Sequence, residues 1–96
     1  MDRRKKIKEK DIVKQCLEYL NSLPKTWAFR VENRPGMSRG VSDILVCRRG
    51  KFGAIEVKTF GNYPTALQTR FLRKVAEAKG LAIWIESVEK LKQHVK

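Results

Sequence analysis

Acidic residues are scarce in this chain: ten Asp and Glu stand against 22 Lys and Arg, a formal charge of +12 at pH 7 over 96 residues. Such an excess implies a polyanionic partner, nucleic acid before any other. Cysteine is sparse too. Cys16 and Cys47 stand apart with no C-x-x-C spacing, which argues against a zinc site or a redox pair, and both are expected to be buried thiols in a reducing compartment. The one histidine, His94, has no cysteine or second histidine at ligand spacing and is expected at the surface. No apolar run approaches the roughly 20 residues that span a bilayer, and Arg3-Arg4-Lys5-Lys6 leads into charge rather than an apolar signal segment. Attachment to a membrane surface would need a basic amphipathic helix with exposed Trp or Leu, whereas both tryptophans fall inside strand-like runs.

Hydrophobic residues make up 42% of the chain and come in short runs spread along it, which fits a globular domain and excludes a disordered basic tail. One domain over residues 1–96 is expected, without repeats or low-complexity linkers, and with a core small enough to gain from pairing with a second copy. Residues 7–21 carry Ile12, Val13, Cys16, Leu17 and Leu20 at helical spacing. Residues 26–32 place Trp27, Phe29 and Val31 on alternate positions of a strand, which ends at the turn residues Asn33, Arg34, Pro35 and Gly36. Two β-rich runs, 41–47 and 52–58, flank Arg48-Arg49-Gly50-Lys51 and predict a hairpin. Thr65 opens a second helix with a stripe of Leu67, Phe71, Leu72 and Val75 and a stop at Gly80. Residues 81–86 form a last strand, and Ser87 caps a short helix through Val88, Leu91 and Val95. The order α-β-β-β-α-β-α predicts an α/β fold with a mixed central sheet flanked by helices.

Alternation puts Asp43 on one face of the first hairpin strand with Val41 and Leu45, and Ala54, Glu56 and Lys58 together on one face of the second. If Arg49-Gly50 is the turn, or if 48–51 form a four-residue loop, paired residue numbers sum to 99 and Asp43 faces Glu56. Opposed carboxylates so close repel each other, and inside the apolar runs VSDILVC and FGAIEVK they require something positive between them. Mg²⁺ or Mn²⁺ meets that need, because hard cations take carboxylate and carbonyl oxygens and retain water and substrate phosphate as further ligands. Lys58 shares the face of Glu56 and could orient or deprotonate a water or stabilise charge on a phosphate; its plainer reading is an ion pair at a strand end. Glu9 falls within the helical arc of Ile12, Cys16 and Leu20, and so either points at the core side or only favours the helix dipole. Gln68 completes a capping box with Thr65, or also faces the charged end of the hairpin to hold a water or a phosphate oxygen. Ser42 is ambiguous, because its side chain points away from that of Asp43.

These residues carry a resemblance. Glu9 with IVKQCLEYL, GVSDILV at 40–46, FGAIEVKTF at 52–60, TALQTRFL at 65–72 and GLAIW at 80–84 are similar to the VRR-NUC group (virus-type replication-repair nucleases) of the PD-(D/E)XK superfamily. The specific part is the spaced series of D, E-x-K and Q. The motif begins SD rather than PD, and the metal-binding Asp is retained. The resemblance implies a restriction-endonuclease-like sheet and phosphodiester hydrolysis in DNA replication, recombination or repair. One or two Mg²⁺ or Mn²⁺ ions would be associated with Glu9, Asp43, Glu56 and the Val57 carbonyl, and Lys58 and Gln68 would act as the family's Lys and Gln. It also suggests a homodimer cutting a branched substrate such as a four-way junction, in the cytoplasm of a bacterium or of a phage- or virus-infected host cell. Arg30, Arg34, Arg39, Arg48, Arg49 and Lys51 are expected on loops and strand ends near the site, holding DNA phosphates without reading bases. Two rival functions are a flap- or end-processing nuclease within a repair assembly and a basic DNA-binding module without chemistry.

Overall fold

The computed structural model describes residues 7–32 and 39–96. Seven elements follow one another: α1 (Glu9–Ser22), β1 (Thr26–Arg30), β2 (Ile44–Arg48), β3 (Lys51–Val57), α2 (Ala66–Glu77), β4 (Leu81–Ile85) and α3 (Val88–His94). The expected α-β-β-β-α-β-α order is realised, with strand and helix ends displaced by one to three residues where the apolar runs extend past their last ladder bonds.

The four strands lie in the order β1-β2-β3-β4. β1 and β2 are antiparallel, as are β2 and β3. The hairpin turn is Arg49-Gly50, both left-handed with φ 53° and 83°, the two-residue geometry whose twist matches that of the strands. It sets Ile44 opposite Ile55 and Arg48 opposite Lys51, the register that sums to 99. α2 then crosses over one face and returns the chain as β4, parallel to β3.

The two faces are covered unequally. α1 and α3 lie on one, where Ile12, Val13, Cys16 and Leu20 of α1 and Val88 and Leu91 of α3 pack with Val95 against Ala28, Ile44, Val46, Ile55, Val57 and Ile85. Tyr19 donates from its hydroxyl to the Val95 carbonyl (2.6 Å), tying the end of the chain to α1. The other face holds a smaller cluster: Leu72 and Val75 of α2 on Ala54, with Leu45, Phe71 and Ala82 around them. α2 covers only the β3–β4 half. Over β1 and β2 that face stays open, which corrects three expectations. Cys47 is exposed rather than buried, the alternate aromatics Trp27 and Phe29 point outward while small Ala28 faces the core, and Leu67 of the expected α2 stripe remains at the surface. The left-handed residue after α2 is Lys79 (φ 72°), one position before the expected stop.

β1 is an edge strand, and its outward backbone is already occupied. Asn21 of α1 accepts from the Ala28 N–H (2.9 Å) and donates to the Ala28 carbonyl (3.0 Å), which blocks pairing with another strand there. Among the described residues no helix is long and apolar enough to cross a membrane.

Candidate active site

The site forms where β2 begins and β3 ends. Asp43 immediately precedes β2, and the ladder pairing of Ile44 with Ile55 brings its side chain beside Glu56 on the face that carries Leu45 and Ala54. One carboxylate oxygen, Oδ2, accepts from the Val57 backbone N–H at 2.8 Å, so Asp43 is tethered to the strand that bears Glu56 and Lys58. The approach to β2 is itself held: Gly40 has φ 85°, and a Cβ there would lie 2.5 Å from the Leu67 carbonyl oxygen. Only glycine admits that contact, which seats the segment before Asp43 on the first turn of α2.

Glu56 is 1% exposed, a rare position for a carboxylate. Its Oε1 is buried without a hydrogen-bond partner among the described residues, and its Oε2 forms an ion pair with Lys58 Nζ at 3.7 Å, too long for a hydrogen bond. Burial first, then a hydrogen bond with Asp43 and the charge of Asp43, push the Glu56 carboxyl up to about 8, so it holds a proton that an ordinary glutamate would have lost. Lys58 works against this, and its side chain is 15% exposed, reaching from the site toward solvent.

Glu9, half-buried in the first turn of α1, stands within electrostatic reach of the same cluster. Its carboxyl is raised by burial and then by Asp43, against the opposing charges of Lys58 and Arg30. Among the described residues no three His, Cys, Asp or Glu side chains group closely enough to hold an ion by themselves. The close acidic pair is therefore Asp43 and Glu56, with Glu9 outside it. This donor set fits a hard divalent cation. Two carboxylates compressed together, one with an orphaned buried oxygen, are what a cation would relieve, and Mg²⁺ commonly takes one or two carboxylates and keeps waters for the rest.

Gln68 forms the capping box: its Oε1 accepts from Thr65 N–H (2.8 Å) while Thr65 Oγ1 accepts from Gln68 N–H (3.2 Å). That leaves the amide nitrogen as its group for any other task. Ser42 is fully buried, and its Oγ has no hydrogen-bond partner among the described residues.

The basic residues divide. Arg30 ends β1 opposite Ile44, and its charge acts on Glu9. Arg39 joins Leu67, Arg70, Phe71 and Lys74 in lining a groove along α2. Arg70 and Lys74 escaped the sequence reading, although their i, i+4 spacing next to Leu67 and Phe71 marks one helix face. Arg34 lies outside the described residues. Arg48, Arg49 and Lys51, expected near the site, sit instead at the hairpin turn, five residue steps or roughly 17 Å along β2 from Asp43. Arg48 is moreover a clamp, donating to the carbonyls of Pro24 (3.1 Å) and Lys96 (2.6 Å) and to Thr26 Oγ1 (2.7 Å).

A mixed sheet with an Asp at the mouth of one strand, Glu-x-Lys closing the next and a helix crossing back over that end is a nuclease domain of the restriction-endonuclease-like class. The chain is similar to a solved structure described as "VRR_NUC domain", with 25% sequence identity and a TM-score of 0.75 over 92% of this chain and 97% of that one. The resemblance read from the motifs and the architecture thus agree. No protein-family model and no curated protein matches the chain.

Proposed function

We propose that this chain is a Mg²⁺- or Mn²⁺-dependent DNA endonuclease whose catalytic centre is Asp43, Glu56 and Lys58. The observation that carries this reading is the buried Glu56 carboxyl, pressed against Asp43, with Oε2 in a 3.7 Å ion pair with Lys58 and Oε1 without a hydrogen-bond partner among the described residues. A structural role would favour pairing or replacing such a group, because an unsatisfied buried acid destabilises the fold.

Asp43 and Glu56 would hold one or two ions, joined by the Val57 carbonyl and, through water, by Glu9. When bound, the cation supplies positive charge against the scissile phosphate and a more acidic water for in-line attack. The chain's own groups do the rest. The Val57 N–H fixes the Asp43 carboxylate, so the ligand set is held before substrate arrives. Lys58 has its Nζ at the solvent side of Glu56, where it can orient the attacking water and stabilise charge on the phosphate oxygens. Gln68 can present its amide nitrogen from the start of α2. Arg30, Arg39, Arg70 and Lys74 line approaches along which a DNA backbone can run, giving affinity that depends on salt more than on sequence.

The likeness to a VRR-NUC domain and the size of the core support a homodimer that cuts a four-way junction at two related sites, within replication, recombination or repair. The test is a cleavage panel of four-way, flap, single-stranded and linear DNA with Mg²⁺, with Mn²⁺ and with chelator, run on the wild type and on Asp43→Asn. Metal-dependent cleavage that falls roughly 10³-fold in Asp43→Asn is expected, the loss of several kcal/mol of transition-state stabilisation. Activity that survives the substitution or the chelator would refute the metal assignment, and binding without cleavage of any substrate would leave a DNA-binding module.

A further inference from the structure

Beside the acidic pair stand two aromatic rings that packing does not account for. Trp84 of β4 is the register partner of Glu56, so its side chain rises from the same face of the sheet, one strand spacing or about 4.8 Å away. α2 packs over Ala82, two residues earlier on that face, and stops short of Trp84, which is 37% exposed. Tyr63 lies in the loop that follows Lys58 and is 74% exposed. The loop is set by Gly61 (φ 91°) and by two bonds from Asn62, its N–H to the Thr59 carbonyl (3.0 Å) and its Nδ2 to Thr59 Oγ1 (2.6 Å). The ring centroids are 5.7 Å apart at 64°, an edge contact that uses an edge of one ring and one face of the other, and with Tyr63 74% and Trp84 37% exposed it leaves ring surface open to solvent.

Open aromatic faces beside a phosphodiester-cleaving centre, on a chain of charge +12, have the composition of a single-strand binding groove, where cations follow the backbone and rings take the bases. A paired base in a duplex has both faces occupied by its neighbours, so these rings can accept only a base released from the stack. We propose that Tyr63 and Trp84 form a stacking platform for an unpaired base of the DNA strand entering the Asp43–Glu56 site, and that the preferred substrates carry an unpaired nucleotide next to the scissile phosphate. This rests on the nuclease reading for its substrate class. It deepens that reading by favouring flaps, bulges and frayed branch points over fully paired arms.

The experiment compares binding of a short oligodeoxythymidylate with that of an abasic oligonucleotide of equal length and charge, in chelator so that nothing is cut. The wild type should bind the thymidylate about tenfold more tightly than the abasic strand, and Tyr63→Ala should abolish that preference while leaving abasic binding unchanged. In a Trp27→Phe background Trp84 is the one remaining tryptophan, and under selective tryptophan excitation the thymidylate but not the abasic strand should quench it. Trp84→Phe, which keeps a ring, should retain most of the preference, and thermal melts of every variant report that each is folded. Equal affinity for the two strands would overturn the platform, as would a Tyr63→Ala loss shared equally between them, the signature of a ring that only shields Glu56. Cleavage of flap and fully paired substrates in Mg²⁺ is scored separately. A base preference without any cleavage defeats the nuclease reading alone, and cleavage without a base preference defeats the platform alone.

Discussion

The two faces of the sheet obey different rules. Against α1 and α3 the sheet presents Ile44, Val46, Ile55, Val57 and Ile85, all buried in one continuous apolar layer. Against Leu72 and Val75 of α2 it presents a single buried apolar residue, Ala54, then a buried carboxyl, an exposed cysteine and four exposed aromatics: Trp27, Phe29, Phe52 and Trp84. One helix cannot cover four strands, so half of that face stays open. The acidic pair sits at the margin of the covered half, where burial is deep enough to perturb a carboxyl and access is wide enough for a substrate. The difference teaches that the first face holds the fold and the second spends stability on function.

Truncating a side chain on each face should expose the largest contrast. Leu91→Ala, on the closed side and fully buried, is expected to cost about 2–5 kcal/mol in chemical denaturation. Trp27→Ala, on the open side, loses only its tilted contact with Phe29 at 4.9 Å and should cost about 1 kcal/mol or less. Comparable losses at the two positions would break the comparison.

A smaller effect concerns pH. In chelator, the folded Glu56 carboxyl holds its proton up to about pH 8, whereas its ordinary value is 4.5. Between those limits the folded state holds a proton at Glu56 that the unfolded one lacks, so the contribution of this group to stability is full below 4.5, declines as pH rises and is lost above about 8. The raised Glu9 acts in the same direction. Thermal melts of Glu56→Gln should show a flatter profile, and Mn²⁺ at pH 7.5 should raise the melting temperature of the wild type but not of that variant. A wild-type melting temperature in chelator that rises across this range would contradict the buried acidic pair.

The smallest perturbation is covalent labelling. Cys47 is open to solvent, while burial pushes the Cys16 thiol up to about 12 and keeps it unreactive. One thiol should react in the native protein and two after unfolding; two fast native thiols would mean that the α1 face is not sealed.

Much of this was legible from local spacing. The i, i+4 recurrence of Ile12, Cys16 and Leu20 is the buried stripe of α1, and the Arg49-Gly50 turn implied the register that brings Asp43 to Glu56. The exposure of Cys47, Trp27 and Phe29 was not legible, because alternation says which residues share a face and is silent on whether another element covers it. The tether from Val57 N–H to Asp43 is likewise invisible in a residue string. It depends on where the ladder stops, and the apolar run 41–47 continues past that point at its N-terminal end.

By itself the amino-acid sequence determined the order of elements, the polyanionic partner class and the pairing of an Asp with Glu-x-Lys, since turn chemistry, periodicity and charge are local properties of a chain. The tertiary structure alone decided that α2 leaves half a face bare, that the hairpin's cations lie far from the acids, and that Trp84 stands beside Glu56. The last of these joins residues 28 positions apart in the chain through a parallel crossover, and such a contact exists only once the core has chosen how its layers close.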